Sequence, residues 1–138
     1  EAYNEYYGPD QKVYDALNKV RVRSGVPTVE EAWENAALAK TPNKHKTQEG
    51  LREIIKQERR IEMAFEGHRN FDVRRWKEAD KYFNIPVTGW SVDGSTTNTF
   101  YIVKTVGQRS FITPRDYLHP IKYSEMIVNS NLVQNPGW

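Results

Sequence analysis

Glu58, Glu62 and Glu66 recur at i, i+4 and i+8, a spacing that sets three carboxylates along one face of a helix. They sit beside an apolar stripe, so some of them are expected to be half-buried. Two chemistries fit such a row. Paired carboxylates can act as general acid and base or nucleophile, as in glycoside hydrolysis. Alternatively the row is structural, with ion pairs to Arg69, Arg74 and Arg75 arriving from beyond Gly67. Arginine suits that role because its planar fork satisfies a carboxylate bidentately. Charges of both signs packed about one glycine favour the structural role. A buried acid left unpaired is costly, and the sequence supplies the partners.

Other chemistries find less support. The chain has no cysteine, which excludes disulfides, thiolate zinc sites and cysteine nucleophiles. Di-metal bundles use a Glu-x-x-His step, whereas His68 follows Glu66 by two residues, and no His-Glu-x-x-His occurs. His45 and His119 are isolated in polar or loop contexts, so no metal and no cofactor is expected. There is no Gly-x-Ser-x-Gly elbow and no glycine-rich phosphate cradle. The basic pairs Arg59-Arg60 and Arg74-Arg75 have acids at helical spacing, which cancels the field a phosphate backbone needs, so nucleic acid is not an expected partner. Aromatic faces also stack on the apolar faces of sugar rings. Trp90 stands in a polar loop with Asp93 and Asn98 nearby and Tyr101 following, which makes Trp90 and Tyr101 candidate ligand contacts. The competing role for Trp90 is to fold back and anchor its own loop. Trp33, Trp76 and Trp138 read as core or capping residues.

The elements that must position these groups are mainly helical. Val13, Leu17 and Val20 form one stripe, opened by Pro9-Asp10 and stopped by Gly25 and Pro27. Thr28 with Glu31 is a capping-box signature that predicts a helix over about 29–39, with Ala32, Trp33, Ala36 and Ala37 on its buried face. The strongest pattern, Leu51, Ile54, Ile55, Ile61 and Phe65, predicts a helix over about 48–66, stopped at Gly67. A short helix is expected across 71–77. From Asn84 to Asn98, Gly, Ser, Thr, Asn and Asp read as a long surface loop. Short strands at 101–103 and 111–112 suggest a hairpin across Gly107. Ser124 and Glu125 open a last short helix, and the tail to Trp138 is extended or turn-like.

The 138 residues suffice for one core, with 20 Lys+Arg against 18 Asp+Glu and no one-signed surplus. A charged fraction of 28% and a mean hydropathy of −0.80 leave no stretch apolar enough for a membrane-spanning helix. Four Trp, eight Tyr and five Phe in so hydrophilic a chain fit a packed protein, not a disordered one. The chain opens at Glu1 with no basic or apolar leader, so no signal peptide is expected within it. A single unit over 1–138 is expected. Helical hairpins usually stack on further ones, so this unit reads as a piece of a longer solenoid-containing protein.

Three ordered stretches resemble the C-terminal region of the SusD/RagB-like nutrient-binding lipoproteins of Bacteroidetes. Ala16 to Pro27 resembles the family's Asn-x-Val-Arg-x-Arg-Ala-Gly run. Glu58 to Trp76 is similar to Glu-Arg-Arg-x-Glu-x-x-Phe-Glu-Gly-x-Arg-x-Phe-Asp-x-x-Arg-Trp. Tyr117 to Trp138 resembles the closing Pro-Ile-x-x-x-Glu and Gln-Asn-Pro-Gly-Trp elements, with Ser130 where proline is common and Lys122 where a second proline often follows. The resemblance implies a TPR-like helical scaffold and a non-enzymatic protein on the outer-membrane surface. It implies a lipid anchor upstream of this chain, a SusC-like TonB-dependent transporter as partner, and an oligosaccharide or other nutrient as ligand. It also treats Glu58 to Trp76 as a packing element. A carboxylate-based hydrolase and a helical-repeat interaction module without small ligand are the alternatives.

Overall fold

The structure, a computed structural model, describes every residue from Glu1 to Trp138. It is mostly helical, with 46% helix and 7% strand. The chain forms two compact units, Glu1–Gly67 and His68–Trp138.

In the N-terminal unit, the Val13-Leu17-Val20 stripe becomes α2 (Gln11–Arg23), and the Asp10 side chain caps it by accepting from the Lys12 amide. The Thr28–Glu31 capping box forms and opens α3 (Val29–Glu34). That helix is half as long as its alanines suggest. Asn35 turns extended, and its side chain accepts from the Ala37 amide, a local bond that competes with the next helical turn. Ala36 and Ala37 are consequently exposed. After a 3₁₀ turn at Lys44–Lys46, Thr47 caps α4 (Gln48–Glu62). Val13, Val29, Leu51, Ile54 and Ile55 make the core, with Tyr14, Leu17 and Trp33 packed against it. Full burial of each such aliphatic contributes about 1.5–3 kcal/mol.

Two features of this unit lie outside the sequence reading. His45 is buried, edge-on to the Tyr14 ring, and its carbonyl accepts from the Tyr14 hydroxyl at 3.0 Å. The short α1 (Ala2–Tyr7) is clamped to the start of α4 through amides: the Asn4 side chain donates to the Gln48 carbonyl, and the Gln48 side chain donates to those of Asn4 and Glu5. Arg52 adds a bidentate pair to Glu5 at 2.7 and 2.6 Å.

The predicted end of α4 at Glu66 is four residues too late. The backbone turns left-handed at Phe65 (φ 66°) and again at Gly67 (φ 77°), so Phe65 lies outside the helix and is exposed, as is Ile61 in the last turn of α4. Only glycine takes that conformation freely. Open space surrounds the position where a Gly67 Cβ would stand, so the backbone preference alone sets the effect of Gly67→Ala. A loss of about 1 kcal/mol is expected in a urea melt; an unchanged midpoint would contradict it.

In the C-terminal unit α5 (Arg69–Arg75) and α6 (Ala79–Phe83) surround a small core of Val73, Ala79 and Phe111, flanked by Phe83 and Tyr117. Two antiparallel strands follow, β1 (Val87–Trp90) and β2 (Val103–Gly107), with Trp90 opposite Val103. The expected hairpin across Gly107 is therefore replaced. β2 pairs backwards with part of the segment read as loop, and 111–112 is not a strand. The Asn84 side chain explains this: its amide donates to the Phe111 carbonyl and accepts from the Phe111 N–H, occupying both groups a ladder would need. Gln134 brackets Ile121 in the same way. The last helix, α7, runs Tyr123–Val128. Trp138 caps the tail, donating its indole N–H to the carbonyls of Arg115 and Leu118, each at 3.1 Å.

Candidate functional site

The acidic row does not survive as three residues on one face. Glu58 and Glu62 lie in the last turns of α4, whereas Glu66 belongs to the exposed turn beyond it. The sequence reading looks for guanidinium partners in Arg69, Arg74 and Arg75; those that hold Glu58 and Glu62 are Arg21 and Arg23 of α2. Arg21 also donates its Nε to the Pro27 carbonyl at 2.6 Å, joining the end of α2 to the entry of α3. Both arginines stand in the last turn of α2, where the sequence reading assigns them no role.

The three arginines after Gly67 have partners inside the C-terminal unit. Arg69 lies over the Tyr82 ring at 4.4 Å and beside Trp76 at 5.8 Å. Arg75 donates to Asp72 at 3.2 Å and approaches the Trp76 ring at 5.2 Å. Arg74 bonds the Asn70 side chain and the Asp116 carbonyl, and its guanidinium sits 5.9 Å from the Phe83 centroid and 5.7 Å from that of Phe111. Nowhere do three His, Asp or Glu side chains gather as metal ligands would.

The two aromatic candidates do come together. Trp90 ends β1, and Tyr101 is held beside it because the ladder continues past the strands: the Ser91 N–H donates to the Ile102 carbonyl and the Tyr101 N–H to that of Ser91, both at 2.8 Å. The rings meet edge to face at 6.0 Å and 83°, while Phe100 backs Tyr101 at 4.1 Å. Trp90 and Tyr101 are 64% and 61% exposed and line a shallow cleft of 290 Å³. Trp90 therefore does not fold back into its loop. Tyr101 has φ 56°, a left-handed conformation unusual for a bulky residue, and such strain collects where a side chain is held for contact. The pair offers two perpendicular aromatic faces with hydroxyl and indole N–H at their edges. That is a stacking and hydrogen-bonding surface without an acid, base or nucleophile.

A second cleft, of 410 Å³, lies in the C-terminal unit between Phe83, Phe111 and Trp138, with Arg74, Arg109 and His119 on its walls. The sequence reading missed Arg109, which has no patterned neighbour to flag it. Asp116, on the same wall, is already satisfied: one oxygen accepts from Arg115 Nε and the other from the Ile112 amide, each at 2.7 Å. The Arg115 hydrogen bond, then the Ile112 amide, hold its carboxyl below the usual value of 3.8. A depressed carboxylate stabilises the turn fully above that value and loses the contribution as pH falls through its own lower pKa. An NMR titration should accordingly place the Asp116 midpoint below 3.8, with the Ile112 amide signal moving over the same range. A midpoint above about pH 4 would contradict the bonding described.

Comparison with known proteins gives the chain a family. The profile of the SusD family matches residues 1–138. SusD-like protein P2 of Formosa agariphila is 36% identical over 92 residues, which are 66% of this chain and 15% of that protein. The solved structure of BT4246 aligns at 33% identity with a TM-score of 0.74, covering 98% of this chain and 21% of that one. Its selenomethionine form aligns at 32% identity with a TM-score of 0.75, covering 99% of this chain and 22% of that one. The chain thus spans about a fifth of the length of those structures. Since the profile match runs from Glu1 to Trp138 and the fold follows it throughout, the chain belongs to the SusD family.

Proposed function

We propose that the protein containing this chain captures oligosaccharides or a related nutrient at the cell surface and passes them to a SusC-like TonB-dependent transporter in the outer membrane, without catalysis. The family match over residues 1–138 carries this reading. The exposed Trp90–Tyr101 pair supports it as a ring-stacking surface. Glu58 and Glu62 each hold an arginine, which supports a structural role for them and leaves a hydrolase reading without a free pair of acids. Attachment through a lipid anchor outside residues 1–138 belongs to this reading through the family match; no helix of the chain is long and apolar enough to cross a membrane.

Isothermal titration of the full-length protein against a panel of oligosaccharides tests the proposal. Stoichiometric binding with the sugar recovered intact is expected. Trp90→Ala should weaken that binding about tenfold and leave the melting temperature close to wild type, because the ring is mostly exposed. Turnover of a sugar without stoichiometric binding would replace this reading by the hydrolase. Capture of a β-barrel partner with no sugar affinity would leave an interaction module.

A further inference from the structure

Arg74 and Arg109 lie far apart in the unit's sequence yet face the 410 Å³ cleft and share one aromatic wall: their guanidinium carbons lie 5.9 and 5.5 Å from the Phe83 centroid. Neither takes part in an ion pair. Arg74 spends Nε on the Asp116 carbonyl and Nη1 on the Asn70 side chain, and Arg109 spends Nη2 on the Tyr82 carbonyl at 3.5 Å. A guanidinium carries five N–H donors, so both keep donors for a further acceptor. The carboxylate on the wall, Asp116, is bonded by Arg115 and the Ile112 amide; it feels the Arg74 charge but, already matched by Arg115, cannot offset both Arg74 and Arg109. The cleft therefore combines two guanidinium groups outside any direct ion pair, the imidazole ring of His119, and apolar faces from Phe83, Phe111 and Trp138.

From this arrangement we infer that the cleft binds an anionic sugar residue, its carboxylate or sulfate oxygens held by Arg74 and Arg109 and its ring laid against the aromatic walls. Oxyanions are the partners guanidinium groups recognise best, because parallel N–H donors match two oxygens at once. An aromatic wall raises the worth of the contact by keeping water off one side of the charges. The site is separate from the Trp90–Tyr101 pair in its residues and its chemistry. The inference rests on the glycan-binding reading above and adds the class of glycan, an acidic one.

The test is titration of the full-length protein, at low and at moderate salt, with three probes of similar length. They are an oligogalacturonate, a sulfated galactan oligosaccharide and a neutral galactan oligosaccharide. One charged probe at least should bind more than fivefold tighter than the neutral one, and its advantage should shrink as salt rises. Whichever charged probe shows the advantage identifies carboxylate or sulfate as the group bound. In Arg109→Gln the advantage should fall about tenfold, the worth of a charge-assisted bond, while Arg109→Lys should keep part of it. Arg109 is exposed, so these variants should fold, with a thermal melt as the check. Neutral and charged probes binding alike, or an advantage indifferent to Arg109, would overturn the inference and leave the glycan reading standing. Binding of none of the three, with no other sugar bound, would overturn both.

Discussion

Gly50→Ala should destabilise the N-terminal unit by about 3 kcal/mol, although alanine is the better helix former by about 1 kcal/mol. Gly50 occupies the first turn of α4 beneath the 3₁₀ turn of Lys44–Lys46. A Cβ there would stand 1.9 Å from the Lys44 carbonyl oxygen and 2.8 Å from both Lys44 Cγ and Thr47 Oγ1. The carbonyl is backbone and cannot rotate away. Shifting it would disturb Thr47, whose amide and hydroxyl both point at that oxygen and whose Oγ1 caps α4 by accepting from the Gly50 amide at 3.1 Å. The clash and the cap therefore cannot both be relieved. Urea melts are the measurement, with Glu49→Ala as the exposed neighbour, expected to stay within about 0.5 kcal/mol of wild type. A Gly50→Ala midpoint equal to or above wild type would mean that propensity decides, and that α4 packs less closely on the turn than described.

Nothing local in the sequence marks Gly50 as a contact point, and this separates what could be read from what could not. Periodicity and caps act over three or four residues, so α2, the Thr28–Glu31 box and the buried Leu51-Ile54-Ile55 face of α4 were legible before any coordinates. The features that escaped depend on groups far apart in the chain. Asn84 reaches 27 residues forward to take both backbone groups of Phe111, and no pattern at either end predicts that bond. Gln134 takes both backbone groups of Ile121 in the same way, and the Gln48 side chain donates to the Asn4 carbonyl 44 residues earlier. An amide side chain offers one donor side and one acceptor side, so it can stand in for a neighbouring strand wherever the fold delivers it. Phe65 illustrates a different limit: it fits the helical period, but the backbone leaves the helix before reaching it.

The candidate site was legible to a similar depth. Trp90 and Tyr101 were identifiable from aromatic character amid polar residues, whereas their perpendicular meeting depends on β1 pairing with β2. The acidic row reads as structural with its arginines after Gly67, where the sequence is densest in charge; Glu58 and Glu62 pair with Arg21 and Arg23. Local charge density gives no sign of this, because the Glu58 partner, Arg21 of α2, lies 37 residues earlier in the chain.

That pairing gives the second large effect. Arg21→Gln should cost about 2 kcal/mol, because Glu58 would be left half-buried without a cation and the Pro27 carbonyl without its Nε donor. The neighbouring pair provides the internal comparison. Arg21 and Glu58 side chains are 11% and 20% exposed, whereas Arg23 and Glu62 are 67% and 40% exposed, so solvent screens the second pair far more. Arg23→Gln should therefore cost less than about 0.5 kcal/mol, and its small effect should vanish in high salt. A double-mutant cycle between Arg21 and Glu58 should give a coupling of at least about 1 kcal/mol, separating the pair from the Pro27 bond. If Glu58 were instead a proton-transfer group, Glu58→Gln would leave the melt unchanged and abolish turnover of a sugar. Under the structural role the melt moves, and ligand capture by the folded fraction does not.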